Sequence, residues 1–135
     1  MKTELVDGTR QRTAARKPRP GAELRLDIRP GAPARAAVRG EIDISAVTWL
    51  REDLLSVILR HGPELVLDLS GVSFMDCAGI NLLLATRRRA RLAGGWLQVI
   101  NAAPAVSRII ALTGLRQVLT PAVHLVRATT KEDAA

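Results

Sequence analysis

The sequence predicts a single α/β domain, a mixed sheet of short strands with helices packed on it. Three observations predict it. Two early stretches alternate apolar and charged residues with period two, as half-buried strands do. Three later stretches repeat apolar residues at helical spacing. Short apolar runs, "ELVLDLSGV" and "WLQVI", separate those helices, and this alternation builds a sheet covered by helices. The order reads β-β-α-β-α-β-α-β. A chain of 135 residues with 47% hydrophobic content fits one packed domain.

Residues 1–22 are polar and basic and close on "KPRPG". Pro18 and Pro20 disfavour helix and strand, so this stretch reads as a disordered basic arm. In "AELRLDIRPG", Leu24, Leu26 and Ile28 alternate with Arg25, Asp27 and Arg29, which gives a strand. "PGAP" at 30–33 is turn chemistry. "ARAAVRGEIDI" gives a second strand ending near Gly40, and the two strands read as a hairpin.

Ser45 is read as the N-cap of the first helix. Within that helix Val47, Leu50, Leu54, Val57 and Ile58 form one apolar stripe, and Gly62-Pro63 ends it. Trp49 projects away from the stripe beside Glu52, Asp53 and Ser56. It reads equally as a scattered surface aromatic or as an anchor for a partner.

"ELVLDLSGV" (64–72) reads as a central strand buried on both faces. Gly71 to Asp76 is then a loop, with Phe74 and Met75 anchoring it in the core. A second helix runs from near Cys77 to about Ala93. Its Ile80, Leu83 and Leu84 share a face with Arg87 and Arg91. Either this helix overruns the sheet edge or the arginine stems snorkel, and such a ridge suits an acidic partner. "WLQVI" (96–100) is a strand and "PAVSRIIALTG" (104–114) a helix with Pro at its first turn and Gly at its end. "VLTPAVHLV" closes the domain as irregular chain with room for a last edge strand. Residues 23–127 form the domain and 128–135 a flexible tail.

Net charge is +7, of which the first twenty residues carry +4 from six Lys/Arg and two acids. Basic arms bind nucleic acid or anionic surfaces. With two Trp, one Phe and no Tyr, the chain offers no stacking platform for single strands, so nucleic acid is not expected as a partner. The lone Cys forms no internal disulfide, and the N-terminus lacks the apolar region of a secretory signal, so a cytoplasmic protein is expected. No membrane span is expected either.

His61 and His124 sit at no ligand spacing, so neither a metal nor a cofactor is expected. Phosphate-binding glycine loops and the G-x-S-x-G elbow are absent. These absences favour a binding module over an enzyme. The junction at Asp76–Gly79 still has chemistry, because a helix N-terminus stabilises an anion placed there. Asp76 is the cap candidate and Gly79 permits a close backbone approach. Cys77 reads as a small buried residue, since no His or Lys flanks it to hold a thiolate.

Three segments carry a resemblance: "GEIDISAVTWLREDLL", "LVLDLSGVSFMDCAGINLLL" and "AGGWLQVINAAPAVSRIIALTGL". In this order and spacing they resemble the STAS domain of anti-sigma factor antagonists, over about residues 24–126. The match includes a G-E-[IL]-D turn (Gly40 to Asp43), the D-L-S-G-V-x-F-M-D loop (Asp68 to Asp76) and the closing N-x-x-P-x-V-x-R-[IL] segment. The resemblance implies a STAS-type mixed sheet of four to five strands with helices mainly on one face. It implies a non-enzymatic protein that binds an anti-sigma factor, a Ser/Thr protein kinase of the ATPase type, and so frees a sigma factor.

The implied contact set is Glu41, Asp43, Ser45, Ser73, Asp76, Cys77, Ala78, Gly79 and Asn81. The family's switch is a Ser or Thr directly after the loop Asp, in a D-[ST]-[ST]-G pattern. Here the pattern reads Asp76-Cys77-Ala78-Gly79, so Cys77 takes the phospho-acceptor position. Three consequences follow in order of preference: constitutive binding, a switch moved to Ser70 or Ser73, or a redox-sensitive Cys77. A STAS-type small-ligand or nucleotide-sensing module is the alternative function, and a homodimer is left open.

Overall fold

The structure, a computed structural model, describes Arg19 and residues 21–119. The rest of the expected arm, the tail and the segment from Thr120 on lie outside the described residues, and with them the last edge strand. The elements run β1 (Ala22–Asp27), β2 (Ala34–Ile42), α1 (Ile44–His61), β3 (Glu64–Met75), α2 (Cys77–Leu92), β4 (Trp96–Ile100), α3 (Pro104–Thr113) and α4 (Arg116–Leu119).

The four strands form one sheet in the order β1-β2-β3-β4. The β1–β2 hairpin is antiparallel, with Leu24 opposite Val38. β2 and β3 are parallel, and so are β3 and β4. The mixed sheet is therefore as expected, and its antiparallel pair is the hairpin read from the period-two pattern. Parallel neighbours need crossovers, which α1 and α2 supply. Each helix leaves the C-terminal end of one parallel strand and returns to the next, so α1 and α2 run parallel to each other. They pack together over the sheet.

The core lies between that sheet face and the helices. Leu24, Val38, Leu65, Leu67, Leu69, Leu97 and Val99 point into it from the strands. The predicted α1 stripe, Val47, Leu50, Leu54, Val57 and Ile58, is buried throughout. From α2 come Ile80, Leu82 and Leu83, with Thr86 and Ala90 continuing the buried face. Arg87 is half-buried and Arg91 exposed, so the buried face passes between them and the arginines leave it toward solvent. Among the described residues, no helix is long and apolar enough to cross a membrane.

Several expectations need correction. β3 is not buried on both faces: Leu65, Leu67 and Leu69 are buried, while Val66 and Asp68 on the other side are half-buried. The predicted loop at Gly71 to Asp76 is mostly strand, because β3 stays paired with β2 to the register pair Ile42–Met75. β2 also passes Gly40, and the expected G-E-[IL]-D turn is a bulged strand end with a register shift between Gly40 and Glu41. Gly40 has a φ of 102°, and a Cβ there would lie 2.7 Å from the Gly21 carbonyl oxygen, so glycine is required. The chain expected to be irregular from Val118 begins inside α4, whose Leu119 is buried. β1 begins at Ala22, the last residue of the stretch read as the arm. Arg19 lies 4.9 Å over the Trp49 ring and 3.4 Å from Asp53, so Trp49 is neither an isolated surface aromatic nor an uncovered anchor.

Candidate functional site

The C-terminal ends of β2 and β3 lie side by side, and one helix starts from each. Asp43 follows Ile42, and Asp76 follows Met75. Both aspartates have extended backbones and both cap a helix. The Asp76 carboxylate accepts from the Ala78 amide at 3.0 Å. The Asp43 carboxylate accepts from the amides of Ser45 (3.0 Å) and Ala46 (3.3 Å) and from the Ser45 hydroxyl (2.7 Å). Ser45 is thus not the N-cap. It lies inside the first turn and supports the Asp43 that caps, since a carboxylate there satisfies amide groups that have no partner within the helix. The Ser45 hydroxyl bond is the strongest influence on the Asp43 carboxyl, and with the Ser45 and Ala46 amides it outweighs desolvation and holds the carboxyl below its ordinary range.

The sequence-predicted residues converge on this end. Glu41, Ser45, Ser73, Cys77 and Asn81 are exposed, Asp43, Asp76 and Ala78 are half-buried, and Gly79 is buried. The Ser73 hydroxyl donates to the Gly40 carbonyl at 3.3 Å, which ties β3 to the bulge in β2. Gly79 lets α2 start against the strands: a Cβ there would lie 2.5 Å from Met75 Cγ and 3.1 Å from Ile42 Cγ2. Cys77 is a free, exposed thiol rather than a buried filler. It is the first residue of α2, and the side chain turns outward because the strand behind it has already filled the core with Met75.

Two apolar residues not expected at the surface are exposed here. Ile44 is 78% exposed and Phe74 is 45% exposed. Phe74 does not anchor in the core. In β3 it pairs with Glu41, beside the buried Met75. The sequence signal for Ile44 was its place outside the phase of the α1 stripe. For Phe74 it was alternation with Met75 once that segment is a strand.

A second polar cluster holds the neighbouring end of β4. The Asp68 carboxylate accepts from the Ser70 amide at 2.9 Å and from Asn101 Nδ2 at 3.2 Å, with Arg35 at 3.8 Å. Asn101 has a φ of 51°, so Asp68 pins a left-handed residue at the end of β4. Ser70 is exposed. Among the described residues, no group of three or more His, Cys, Asp or Glu side chains could hold a metal ion.

A family model described as the Mlab STAS domain matches residues 24–125. The chain belongs to the STAS domain family. The anti-sigma-B factor antagonist of Bacillus subtilis (strain 168) is 30% identical over 82 residues, 61% of this STAS protein and 74% of the relative. The anti-sigma F factor antagonist of Lysinibacillus sphaericus is 29% identical over 77 residues, 56% of this chain and 66% of its own. Among solved structures, an anti-sigma factor antagonist from Mycobacterium paratuberculosis superimposes with a TM-score of 0.67 at 28% identity, covering 82% of this STAS domain protein and 95% of the other chain. SpoIIAA in its unphosphorylated form has a TM-score of 0.64 at 22% identity over 78% and 96% of the two chains, a likeness of fold. The mixed sheet with packed helices that a STAS fold implies is observed here with four strands.

Proposed function

We propose that this STAS protein is a non-enzymatic antagonist that binds a kinase-type anti-sigma factor in the cytoplasm and thereby releases a sigma factor. The observation that carries this reading is that Ile44, Phe74 and Cys77 are all exposed at the end of the sheet where two parallel strands stop and two helices start. Apolar anchors surrounded by polar residues are what a protein partner buries. Glu41, Asp43, Ser45, Ser73, Asp76, Ala78, Gly79 and Asn81 surround them or set their backbone.

Cys77 stands where the family keeps its acceptor hydroxyl, and a thiol takes no phosphate from a Ser/Thr kinase. A phosphate at the first residue of α2 would add up to about −2 charge to the contact surface. Without it the protein binds constitutively.

Titration with a kinase-type anti-sigma factor tests the reading. Ile44→Ala and Phe74→Ala are each expected to weaken binding roughly tenfold, about 1.4 kcal/mol. Undiminished binding of the double variant, or no binding by the wild type, overturns the proposed surface. Incubation with the kinase and ATP, followed by intact mass, is expected to show an unmodified chain. A phosphate adduct on Ser70 or Ser73 would refute constitutive binding.

A further inference from the structure

A groove runs between α1 and α2 and contains a cavity of about 180 Å³ lined by Arg51, Leu55, Ile58, Thr86, Arg88 and Arg89. Its base is apolar, and the Thr86 hydroxyl is already spent on the Leu82 carbonyl at 2.8 Å. Its rim is cationic. Among the described residues, no ion pair or side-chain hydrogen bond engages the guanidinium of Arg51, Arg88 or Arg89. Arg89 gains from the last turn of α2, where the helix dipole favours cations, and Arg88 precedes that turn. Arg51 has no such reason, because it lies midway along α1. Three unpaired guanidiniums around one apolar depression repel each other and attract carboxylates.

Exposed leucines stand beyond the cavity on both helices. Leu59 stands one turn beyond Leu55, and Leu92 one turn beyond Arg88. These leucines are 73% and 74% exposed, so an apolar strip follows the paired helices to their ends. From Arg51 to Leu59 the strip spans about 12 Å, two turns of a docked helix. A cavity of this size is smaller than the roughly 300 Å³ lower bound of ordinary small-ligand pockets, and suits one anchoring side chain.

We propose that this groove is a second docking surface, for an acidic amphipathic helix of a partner protein. One apolar side chain of that helix enters the cavity, its neighbours lie on Leu59 and Leu92, and its carboxylates pair with Arg51, Arg88 and Arg89. The inference stands independently of the anti-sigma assignment, because the groove lies toward the other ends of α1 and α2.

The test uses the full chain and two helical model peptides, both with leucine on one face, one with glutamate elsewhere and one with lysine. Backbone amide NMR is expected to show shifts at Leu55, Ala85 and Thr86 with the glutamate peptide only, fading with added salt. The triple variants Arg51→Gln/Arg88→Gln/Arg89→Gln and Arg51→Glu/Arg88→Glu/Arg89→Glu should lower affinity at least roughly tenfold while the strand amides keep their positions. Equal shifts from both peptides, shifts centred on residues 41–45 and 73–81, or retained affinity in the glutamine variant would overturn the proposal. So would a result in which octanoate gives the groove shifts and the glutamate peptide does not.

Discussion

Asp43 and Asp76 stand one residue beyond the register pair Ile42–Met75, and each caps the helix that leaves its own strand. The same device is used twice at one edge of the molecule, so the two helix starts are held in step with the strands.

Asp76 carries the α2 start through its bond to the Ala78 amide. Asp76→Ala is expected to cost about 1 kcal/mol, whereas Asp76→Asn retains most of the stability because its side-chain oxygen still accepts. Urea denaturation with a common slope measures both.

Cys77 is exposed at the first position of α2. A maleimide is expected to label the native protein to one equivalent without denaturant. If labelling requires unfolding, the outward orientation is wrong. Under the proposed function, the alkylated protein should lose its anti-sigma partner, because the adduct lies beside Phe74.

Acid should loosen the end of β4 through Asp68. Burial by itself raises that carboxyl. The Ser70 amide and hydroxyl, Asn101 and Arg35 together outweigh burial and bring it below the ordinary 3.8. The unfolded chain therefore takes up this proton first as pH falls. The stabilisation is fully present above about 3.8 and is lost as pH drops through the lower folded value. Asp68→Asn should be less stable at neutral pH and should show a shallower loss of stability below pH 4, read from melting temperature against pH.

Gln98 is only 6% exposed, and its Nε2 has no hydrogen-bond partner. In β4 it sits opposite Val66, on the sheet face away from Leu97 and Val99. An unpaired buried amide is costly, so Gln98→Leu should raise stability by about 1 kcal/mol. A drop in the denaturation midpoint would show that the amide is satisfied in solution.

How much of this was legible depends on the kind of interaction that fixed each element. The stripe of α1 and the alternation of β1 are local patterns; the first appears as read, and the second holds at Leu24 but ends at Asp27, before Ile28. The end of β3 is not local. Ser70, Gly71 and Ser73 are turn formers, yet pairing with β2 carries the strand past them to Met75. That extension changes which side chains face out, and so Phe74 moved from core to surface. Cap identity failed for a similar reason: Ser45 is a good capping type, but the strand ends at Ile42 and puts Asp43 in the capping position. The cluster of site residues at one end was legible as a motif, while Ile44 needed the helix start to be placed first. The groove between α1 and α2 had only the arginine run as its trace, because Arg51 joins it from another helix.

Along α2, Cys77 and the Arg88–Arg89 rim are separated by about 17 Å of helix. At physiological salt the Debye length is near 8 Å, so a charge placed at one end is nearly invisible to the other. Occupants of the two sites can therefore sense each other only mechanically, by a shift of the helix against Met75, Ile42 and the sheet.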